Sequence, residues 1–148
     1  MIMMIPRCNL TLRLGVCYRS RFVLSRDFSA RPLSKVVGSA KEALAGINLQ
    51  GVTVAAGGFG LGGIPETLIN EISQTDDAHD LTVVSLTAGV DGFGIGKLLE
   101  AGKVKRLISS YVGENKFLEQ EFFAGRLEIE LTPQGTIAER LRAAGAGT

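Results

Sequence analysis

A cluster of five glycines within seven residues is the feature of this chain that most suggests chemistry. Gly57–Gly63 follows the apolar run 52–56 and precedes a segment whose apolar residues recur at helical spacing. Glycine costs conformational entropy and packs no side chain, so the cluster indicates a backbone that another group approaches closely. Backbone N–H groups at a strand-to-helix turn suit an anion or a developing oxyanion. The structural alternative is a tight turn with close helix packing and no ligand.

The elements around this turn predict an α/β fold with a mainly parallel sheet and helices on both faces, because predicted strands alternate with predicted helices. Strands are predicted over 52–56, 81–86, 104–111 and 127–131, and helices over 40–44, 65–73, 95–101 and 116–124. A last helix is predicted to be capped by Thr132, to begin at Pro133 and to end at Gly145 and Gly147. Pro65 is predicted at the first helical position after the glycines.

The carboxyl ends of parallel strands are where such sheets bind ligands. The loops Leu86–Gly94 and Tyr111–Asn115 are therefore predicted to gather beside Gly57–Gly63, and the helix start Thr132–Gly135 can join them. This group of loops is the predicted site.

Several familiar site types fit the sequence poorly. Gly58, Gly60 and Gly63 satisfy the dinucleotide-binding spacing, but the next strand ends Ser85-Leu86-Thr87 without the acid that binds a ribose hydroxyl. No Walker sequence or G-x-S-x-G elbow is present, and the single histidine disfavours a Ser-His-Asp hydrolase. That histidine, His79, lies near two aspartates on a polar segment, where a surface loop is favoured over a metal site.

The charge distribution separates the N-terminal segment from the rest of the chain. Residues 1–31 hold six arginines and one acid, whereas residues 32–148 hold ten Lys/Arg and fourteen Asp/Glu. An Arg-rich, Ser-containing, Glu-free start is typical of a mitochondrial transit peptide, with cleavage predicted after Phe28 and an amphipathic helix as the alternative. Both cysteines, Cys8 and Cys17, lie in this segment, so the body has no disulfide or thiolate metal site. No basic stripe for nucleic acid and no membrane span is predicted.

Three ordered segments resemble stretches of family I coenzyme A transferases. They are 54–65 (VAAGGFGLGGIP), 109–115 (SSYVGEN) and 128–140 (EIELTPQGTIAER). Their order and spacing are most similar to the mitochondrial members that act on 3-oxoacids, and the resemblance covers residues 33–147. It implies a transit peptide and joint over 1–32, followed over 33–148 by a partial N-terminal, alpha-subunit-like domain of the CoA-transferase/NagB-like fold.

The resemblance also implies a reaction. Such an enzyme moves CoA from succinyl-CoA to acetoacetate in ketone-body breakdown through a glutamyl-CoA thioester, in the mitochondrial matrix, with CoA as a substrate and no cofactor or metal. Its nucleophilic glutamate lies in a Ser-Glu-Asn-Gly segment that these 148 residues do not contain. The chain is therefore predicted to supply a substrate and oxyanion loop, and to act as a homodimer when full length or to pair with a second-half subunit.

The predicted substrate- and oxyanion-binding residues come from the same resemblance. They are Gly57, Gly58, Phe59, Gly60, Gly63 and Gln134. Leu86 and Thr87 depart from the family, because the mitochondrial enzymes usually carry two asparagines there. A structural role is favoured over a nucleophilic one for Glu114, and Glu128 and Glu130 are expected on one solvated strand face.

Two other functions remain as alternatives. One is a non-catalytic acyl-CoA-binding or partner-binding fragment that needs a separate second half. The other, a sugar-phosphate isomerase-like domain of similar architecture, is disfavoured because the matching motifs are those of the transferases. In either case an incomplete parallel sheet would leave an exposed edge that favours association.

Overall fold

A computed structural model describes Ile2–Ile5 and residues 36–148, which form one five-stranded sheet with helices. The strands are β1 (Ile2–Ile5), β2 (Thr53–Ala56), β3 (Leu81–Val84), β4 (Val104–Ser109) and β5 (Glu128–Leu131). The helices are α1 (Ala40–Leu44), α2 (Glu66–Gln74), α3 (Ile95–Glu100), α4 (Lys116–Phe123) and α5 (Gln134–Ala146). The elements from α1 onward fall where the sequence pattern predicts them, with shorter strands.

The strand order in the sheet is β1-β2-β3-β4-β5, and the four strands from β2 to β5 are parallel. Each of these strands is followed by a helix, as parallel neighbours require a crossover connection. The predicted α/β class with a mainly parallel sheet is confirmed.

The first strand is not among the predicted elements. β1 pairs antiparallel with the outer edge of β2, with Ile2 opposite Ala56 and Ile5 opposite Thr53. It lies within the segment interpreted as a transit peptide. The rest of that segment, including both cysteines and the predicted cleavage position, lies outside the described residues, so the domain boundary at residue 32 stays a prediction.

One face of the sheet, here called the first face, carries the hydrophobic core. Val54, Val83 and Leu107 occupy adjacent register positions on neighbouring strands and are almost fully buried. The apolar sides of three helices cover them, through Ile69 and Ile72 of α2, Leu98 and Leu99 of α3, and Leu118 of α4. Burying each of these side chains contributes roughly 1.5–3 kcal/mol, so the first face supplies most of the stability.

The opposite face, here called the second face, carries α5. Ile137 and Leu141 of this helix approach Ala55 of β2 and Val84 of β3, which alternate with the core residues along their strands. Helices therefore lie on both faces of the sheet, as predicted. α5 leaves much of this face accessible, since Ala55 and Val84 are only partly buried.

A charged cluster attaches β5 to α5 on the second face. The Glu130 carboxylate of β5 accepts hydrogen bonds from Arg106 of β4 at 2.6 Å and from Arg140 of α5 at 2.5 Å. Glu128 is the more exposed partner, with its Oε1 3.3 Å from Arg106 Nε. Both glutamates lie on one strand face as expected, but Glu130 is held by two cations and is not simply solvated.

The predicted cap of the last helix is wrong. Pro133 is the N-cap residue of α5 and caps it with no side-chain hydrogen bond, whereas the Thr132 hydroxyl bonds to Glu130 at 3.2 Å. Pro65 is likewise the N-cap of α2 and not its first helical residue. Gly147 ends α5 in the left-handed conformation with φ of 74°.

Replacing Glu130 is expected to change the acid sensitivity of the fold. Hydrogen bonds from Arg140, and then from Arg106, hold the pKa of Glu130 below its ordinary value of 4.5. A carboxylate with a lowered folded pKa stabilises the protein above its unfolded pKa, and this contribution disappears as the pH falls through the folded pKa. The Glu130→Gln variant should therefore be less stable than the parent near neutral pH, and the difference should narrow as the pH falls below the ordinary pKa range of a glutamate.

Urea unfolding at several pH values measures this gap, and added salt should shrink it because the cluster is partly exposed. Glu139→Gln is the matched control on α5, since Glu139 pairs with Arg142 and the two side chains are 66% and 69% exposed. If Glu130→Gln lowered the free energy of unfolding equally at acid and neutral pH, the stabilisation by Glu130 would not be ionic.

Candidate functional site at the carboxyl ends of the strands

The glycine-rich loop leaves β2 at its carboxyl end and folds into a tight turn. Phe59 and Gly62 exchange two backbone hydrogen bonds, of 2.9 and 3.0 Å, across Gly60 and Leu61. Gly60 has φ of 56° and is followed by a residue with negative φ, the pattern of a turn with glycine at its first central position. The tip is exposed, with Phe59 and Leu61 71% and 61% accessible.

Several N–H groups of the loop are not used inside the described part of the protein. Phe59 and Gly62 donate to each other across the turn. Among the described residues, the N–H groups of Gly58, Gly60 and Gly63 have no hydrogen-bond acceptor. Amide donors beside a helix start are suited to hold negative charge. These N–H groups are available to an anion, and the anion-binding role of the loop stays a prediction.

Gly58 determines how the loop lies against the helix that follows. Its φ is 136°, and a Cβ placed there would lie 2.8 Å from Ile64 Cγ1. An L side chain would be strained by the backbone angle and would also push on Ile64. Glycine is required at this position for the observed loop shape.

A polar clamp joins the glycine-rich loop to the loop after β3. Glu66, the first residue of α2, accepts hydrogen bonds from the backbone N–H of Gly94 at 2.9 Å and from Lys97 Nζ at 2.8 Å. Lys97 Nζ also donates to Asn70 Oδ1 at 2.9 Å. These groups are partly buried, so the clamp is screened less than a surface pair. The sequence did not reveal it, because Glu66 and Lys97 are 31 residues apart with no local pattern linking them.

The loop after β4 is tied to the loop after β3 by the backbone of Leu86 and Ala88. The Leu86 carbonyl accepts from the Tyr111 N–H at 3.2 Å and from the Ser110 hydroxyl at 2.7 Å. Asn115 donates its side-chain amide to the Ala88 carbonyl and caps α4 by accepting from the N–H at the helix start. The structure therefore brings the three predicted loops together at the carboxyl ends of the strands.

An apolar groove of about 420 Å³ opens between the carboxyl ends of β2 and β3 and helix α5. Gly57 and Leu86 line its loop side, and Ile137, Ala138 and Leu141 line its helix side. Gln134 is the first residue of α5, is exposed, and lies one helical turn before Ile137 and Ala138. The groove thus lies between Gly57 and Leu86 on one side and residues 137–141 of α5 on the other, and Gln134 does not line it.

The departures at Leu86 and Thr87 bear on the character of this groove. Leu86 contributes an apolar side chain to the wall where the family resemblance implies an amide. Thr87 is partly buried, and its backbone forms an isolated parallel β-bridge with Tyr111. A leucine offers no hydrogen bond to a substrate, and a threonine hydroxyl replaces an amide only in part.

Glu114 lies away from the groove. It lines a second cavity of about 590 Å³ that includes Leu118 of α4 and Ile129 of β5, on the first face of the sheet. Its backbone is left-handed, with φ of 68°, which is uncommon for a residue other than glycine. The two cavities therefore lie on opposite faces, and Glu114 does not share the groove with the glycine-rich loop.

The side chain of His79 lies on the surface beside its own neighbour in the chain. His79 Nδ1 is 3.2 Å from Asp80 Oδ2, and both side chains are exposed. Within residues 2–5 and 36–148, no three His, Cys, Asp or Glu side chains are arranged to hold a metal ion. None of the helices in that part of the chain combines the length and apolar character of a membrane-spanning segment.

Several proteins of known name are similar to this chain in sequence. One subunit of a succinyl-CoA:3-ketoacid coenzyme A transferase from Xanthomonas campestris is 55% identical over 114 residues, which are 77% of this chain and 47% of that protein. A human protein named succinyl-CoA:3-ketoacid coenzyme A transferase 2, mitochondrial, is 58% identical over 97 residues, which are 66% of this chain and 19% of that protein. The chain thus spans about half the length of the bacterial relative and a fifth of the human one.

Solved structures and a family match agree with these relatives. An acyl-CoA transferase from Escherichia coli O157:H7, solved as a thioester complex with CoA, superposes with a TM-score of 0.61 at 28% identity, over 74% of this chain and 24% of that one. Its apoenzyme gives a TM-score of 0.62. Residues 37–148 match the family model described as coenzyme A transferase. These matches confirm the resemblance found in the sequence, and the chain belongs to the coenzyme A transferase family.

Proposed function

We propose that this chain supplies the substrate- and oxyanion-binding loop of a succinyl-CoA:3-ketoacid coenzyme A transferase, and that polypeptide outside these 148 residues supplies the nucleophilic glutamate. Membership in the family and the names of the relatives support the reaction type. The observation that carries the role of this chain is the set of glycine N–H groups after β2 that find no acceptor among the described residues, in a loop whose first residue, Gly57, lines the apolar groove.

The reaction needs such donors at each covalent step. The glutamate carboxylate attacks the thioester carbonyl of succinyl-CoA, forming a C–O bond; the C–S bond breaks, and CoA leaves as a thiolate. The thiolate then attacks the glutamyl carbonyl of the anhydride, which releases succinate and leaves a glutamyl-CoA thioester. Acetoacetate reverses these steps and departs as its CoA thioester. Every attack places negative charge on a carbonyl oxygen, and fixed N–H donors at that oxygen lower the barrier.

The groove offers the remaining contacts that a short acyl chain needs. Its walls are apolar, from Leu86 on the loop side to Ile137 and Leu141 on the helix side, so they suit the methylene groups of a 3-oxoacid or of succinate. The start of α5 offers the Gln134 side chain together with N–H groups of the first turn, which have no partner within the helix. A substrate carboxylate at this end would also be favoured by the helix dipole.

A chimeric enzyme tests this function. Residues 37–148 replace the matching stretch of the Xanthomonas relative, and the chimera is co-expressed with the other polypeptide of that transferase. We expect succinyl-CoA-dependent formation of acetoacetyl-CoA by the chimera and none by the present chain alone. In the absence of acetoacetate, mass spectrometry should detect the glutamyl-CoA thioester on the partner polypeptide.

Two results would contradict the proposal. Turnover by the 148-residue chain alone would show that it contains its own nucleophile. A folded, assembled chimera that binds succinyl-CoA without turnover would favour the non-catalytic acyl-CoA-binding alternative.

Mitochondrial localisation is part of the same proposal. The human and rat relatives carry the word mitochondrial in their names, and residues 1–32 have the composition of a matrix-targeting segment. Import of the full chain into isolated mitochondria, with shortening by about 28 residues, is the expected result.

Replacing Leu86 and Thr87 together by asparagine is expected to raise the activity of the chimera. A new hydrogen bond to substrate contributes about 0.5–1.5 kcal/mol, which corresponds to roughly 2- to 10-fold in kcat/KM. Leu86 already faces the groove, so an amide there can reach a bound acyl group. Steady-state kinetics measure the change, with Ala138→Asn on the opposite wall as control. Equal kcat/KM values for the parent and the double variant would show that the enzyme tolerates the departure.

A further inference from the structure

Ile64 lies between two loops of the candidate site. It is partly buried and packs against the core. A Cβ built on Gly58, in the glycine-rich loop, would lie 2.8 Å from Ile64 Cγ1, and a Cβ built on Gly94, in the loop after β3, would lie 3.2 Å from Ile64 Cδ1. Ile64 therefore packs closely against both glycines. Because closely packed groups move together, a displacement of Gly94 would be passed on to Gly58.

Glu66 holds Gly94 in this contact. Its Oε1 accepts from the Gly94 N–H at 2.9 Å, and its Oε2 accepts from Lys97 Nζ at 2.8 Å. Lys97 also donates to Asn70 Oδ1 at 2.9 Å, one helical turn further along α2. Its Nζ lies 5.7 Å from the centre of the Phe93 ring. Both carboxylate oxygens of Glu66 are thus engaged, and the cation that fixes one of them is itself held by two further groups.

A second carboxylate binds the same loop on a side that does not face Ile64. Glu100 accepts a hydrogen bond from the Gly92 N–H at 2.6 Å. Among the described residues, nothing lies within 4 Å of a Cβ built on Gly92. The loop after β3 is therefore anchored twice, and only the anchor at Glu66 bears on the glycine-rich loop.

We propose that Glu66 is a positioning residue, which fixes the N–H groups of the glycine-rich loop through Gly94 and Ile64. This inference rests on the proposed function of that loop. Fixed donors stabilise a developing oxyanion because they do not have to reorient in the transition state. A loop that is free to shift holds the same N–H groups less precisely, so the loss of Glu66 should lower kcat more than it changes KM.

Nuclear magnetic resonance of the full chain tests the positioning without any turnover. One Hα of each glycine stands where the built Cβ would be, so the parent should show nuclear Overhauser effects from Ile64 to both Gly58 and Gly94. Both effects should weaken in Glu66→Ala, because the Gly94 N–H has lost its acceptor. Both should persist in Glu100→Ala, the matched control, which removes the anchor on the other side of the same loop.

Steady-state kinetics of the chimera test the consequence for catalysis. Glu66→Ala should lower kcat about tenfold and change KM by less than about twofold, since a shift of less than 1 Å loses part of the roughly 10²-fold that a 1 Å misplacement costs. Glu100→Ala should keep the kcat of the parent chimera. Glu66→Gln with Lys97→Met should restore kcat to within about threefold of the parent, because the amide oxygen still accepts from Gly94 and no ammonium group faces the amide N–H groups.

Glu66→Gln alone takes the place of Glu66→Ala if the alanine variant does not fold. Glutamine has a single amide oxygen, whereas the carboxylate offers one oxygen to Gly94 and the other to Lys97. One of the two contacts is therefore lost. The Overhauser effects should weaken in the same way, and kcat should fall about threefold, the equivalent of one weakened hydrogen bond.

Three results would overturn the proposal. They are unchanged Overhauser effects when Glu66 is replaced, an equal loss of kcat in Glu66→Ala and Glu100→Ala, and no recovery of kcat in the double variant. An inactive parent chimera would contradict the proposed function alone, because the Overhauser effects in the full chain decide separately whether Glu66 fixes the loop.

Discussion

The Gly96→Ala variant is expected to be about 3 kcal/mol less stable than the parent, or to fail to fold. Gly96 is buried within α3, where the helix touches the preceding loop. A Cβ at this position would lie 2.0 Å from the Val90 carbonyl oxygen and 3.0 Å from its carbon. Both atoms belong to backbone and cannot rotate away, so either α3 or the loop must shift in a closely packed interior. Urea unfolding of the full chain measures the loss.

Gly135→Ala is the matched control for this prediction. Gly135 lies in the first turn of α5, and nothing among the described residues lies within 4 Å of a Cβ built there. Alanine at an unhindered helical site gains up to about 1 kcal/mol over glycine. The two variants therefore make the same chemical change with opposite expected signs. Equal stability of the two would mean that α3 does not pack against Val90 as described.

Local sequence signals predicted most of this fold because each helix and each parallel strand is specified by its own residues. The apolar run 52–56 is bounded by glycines, and Asn115 and Gly147 stand at helix ends as good capping residues. At Gly58 the structure gives a packing reason for glycine, since the backbone angle and the close neighbour Ile64 exclude a side chain. The approach of a ligand to the bare backbone of the loop stays a prediction.

The features that sequence did not predict depend on residues that are distant in the chain or that compete for one partner. Glu66 has no local sign that Lys97 will bind it across two loops. Thr132 is a good helix cap by type, but Glu130 beside it competes for the hydroxyl. β1 could not be predicted from residues 2–5 alone, because pairing depends on an open edge at β2 that only the assembled sheet creates. The folded arrangement of partners decided each of these cases.

The Gly58→Ala variant of the chimeric transferase is expected to lose about 100-fold in kcat, with a smaller change in KM. Gly58 has φ of 136°, and an added Cβ would press against Ile64, which connects the loop to α2. The loop must then move, and its N–H groups move with it. Displacing oxyanion donors by about 1 Å costs roughly 10²-fold, because these donors act mainly in the transition state. Steady-state kinetics with succinyl-CoA and acetoacetate measure kcat and KM separately.

Gly46→Ala separates the loop's chemistry from backbone strain. Gly46 follows α1, also has positive φ, at 79°, and has no described atom within 4 Å of an added Cβ. Alanine there costs about 1–2 kcal/mol of stability through its left-handed backbone but touches no part of the site. Its kcat should equal that of the parent chimera. If Gly58→Ala changed kcat as little as Gly46→Ala does, the glycine-rich loop would be a turn and not the oxyanion site, because a displaced donor cannot leave the transition state unaffected.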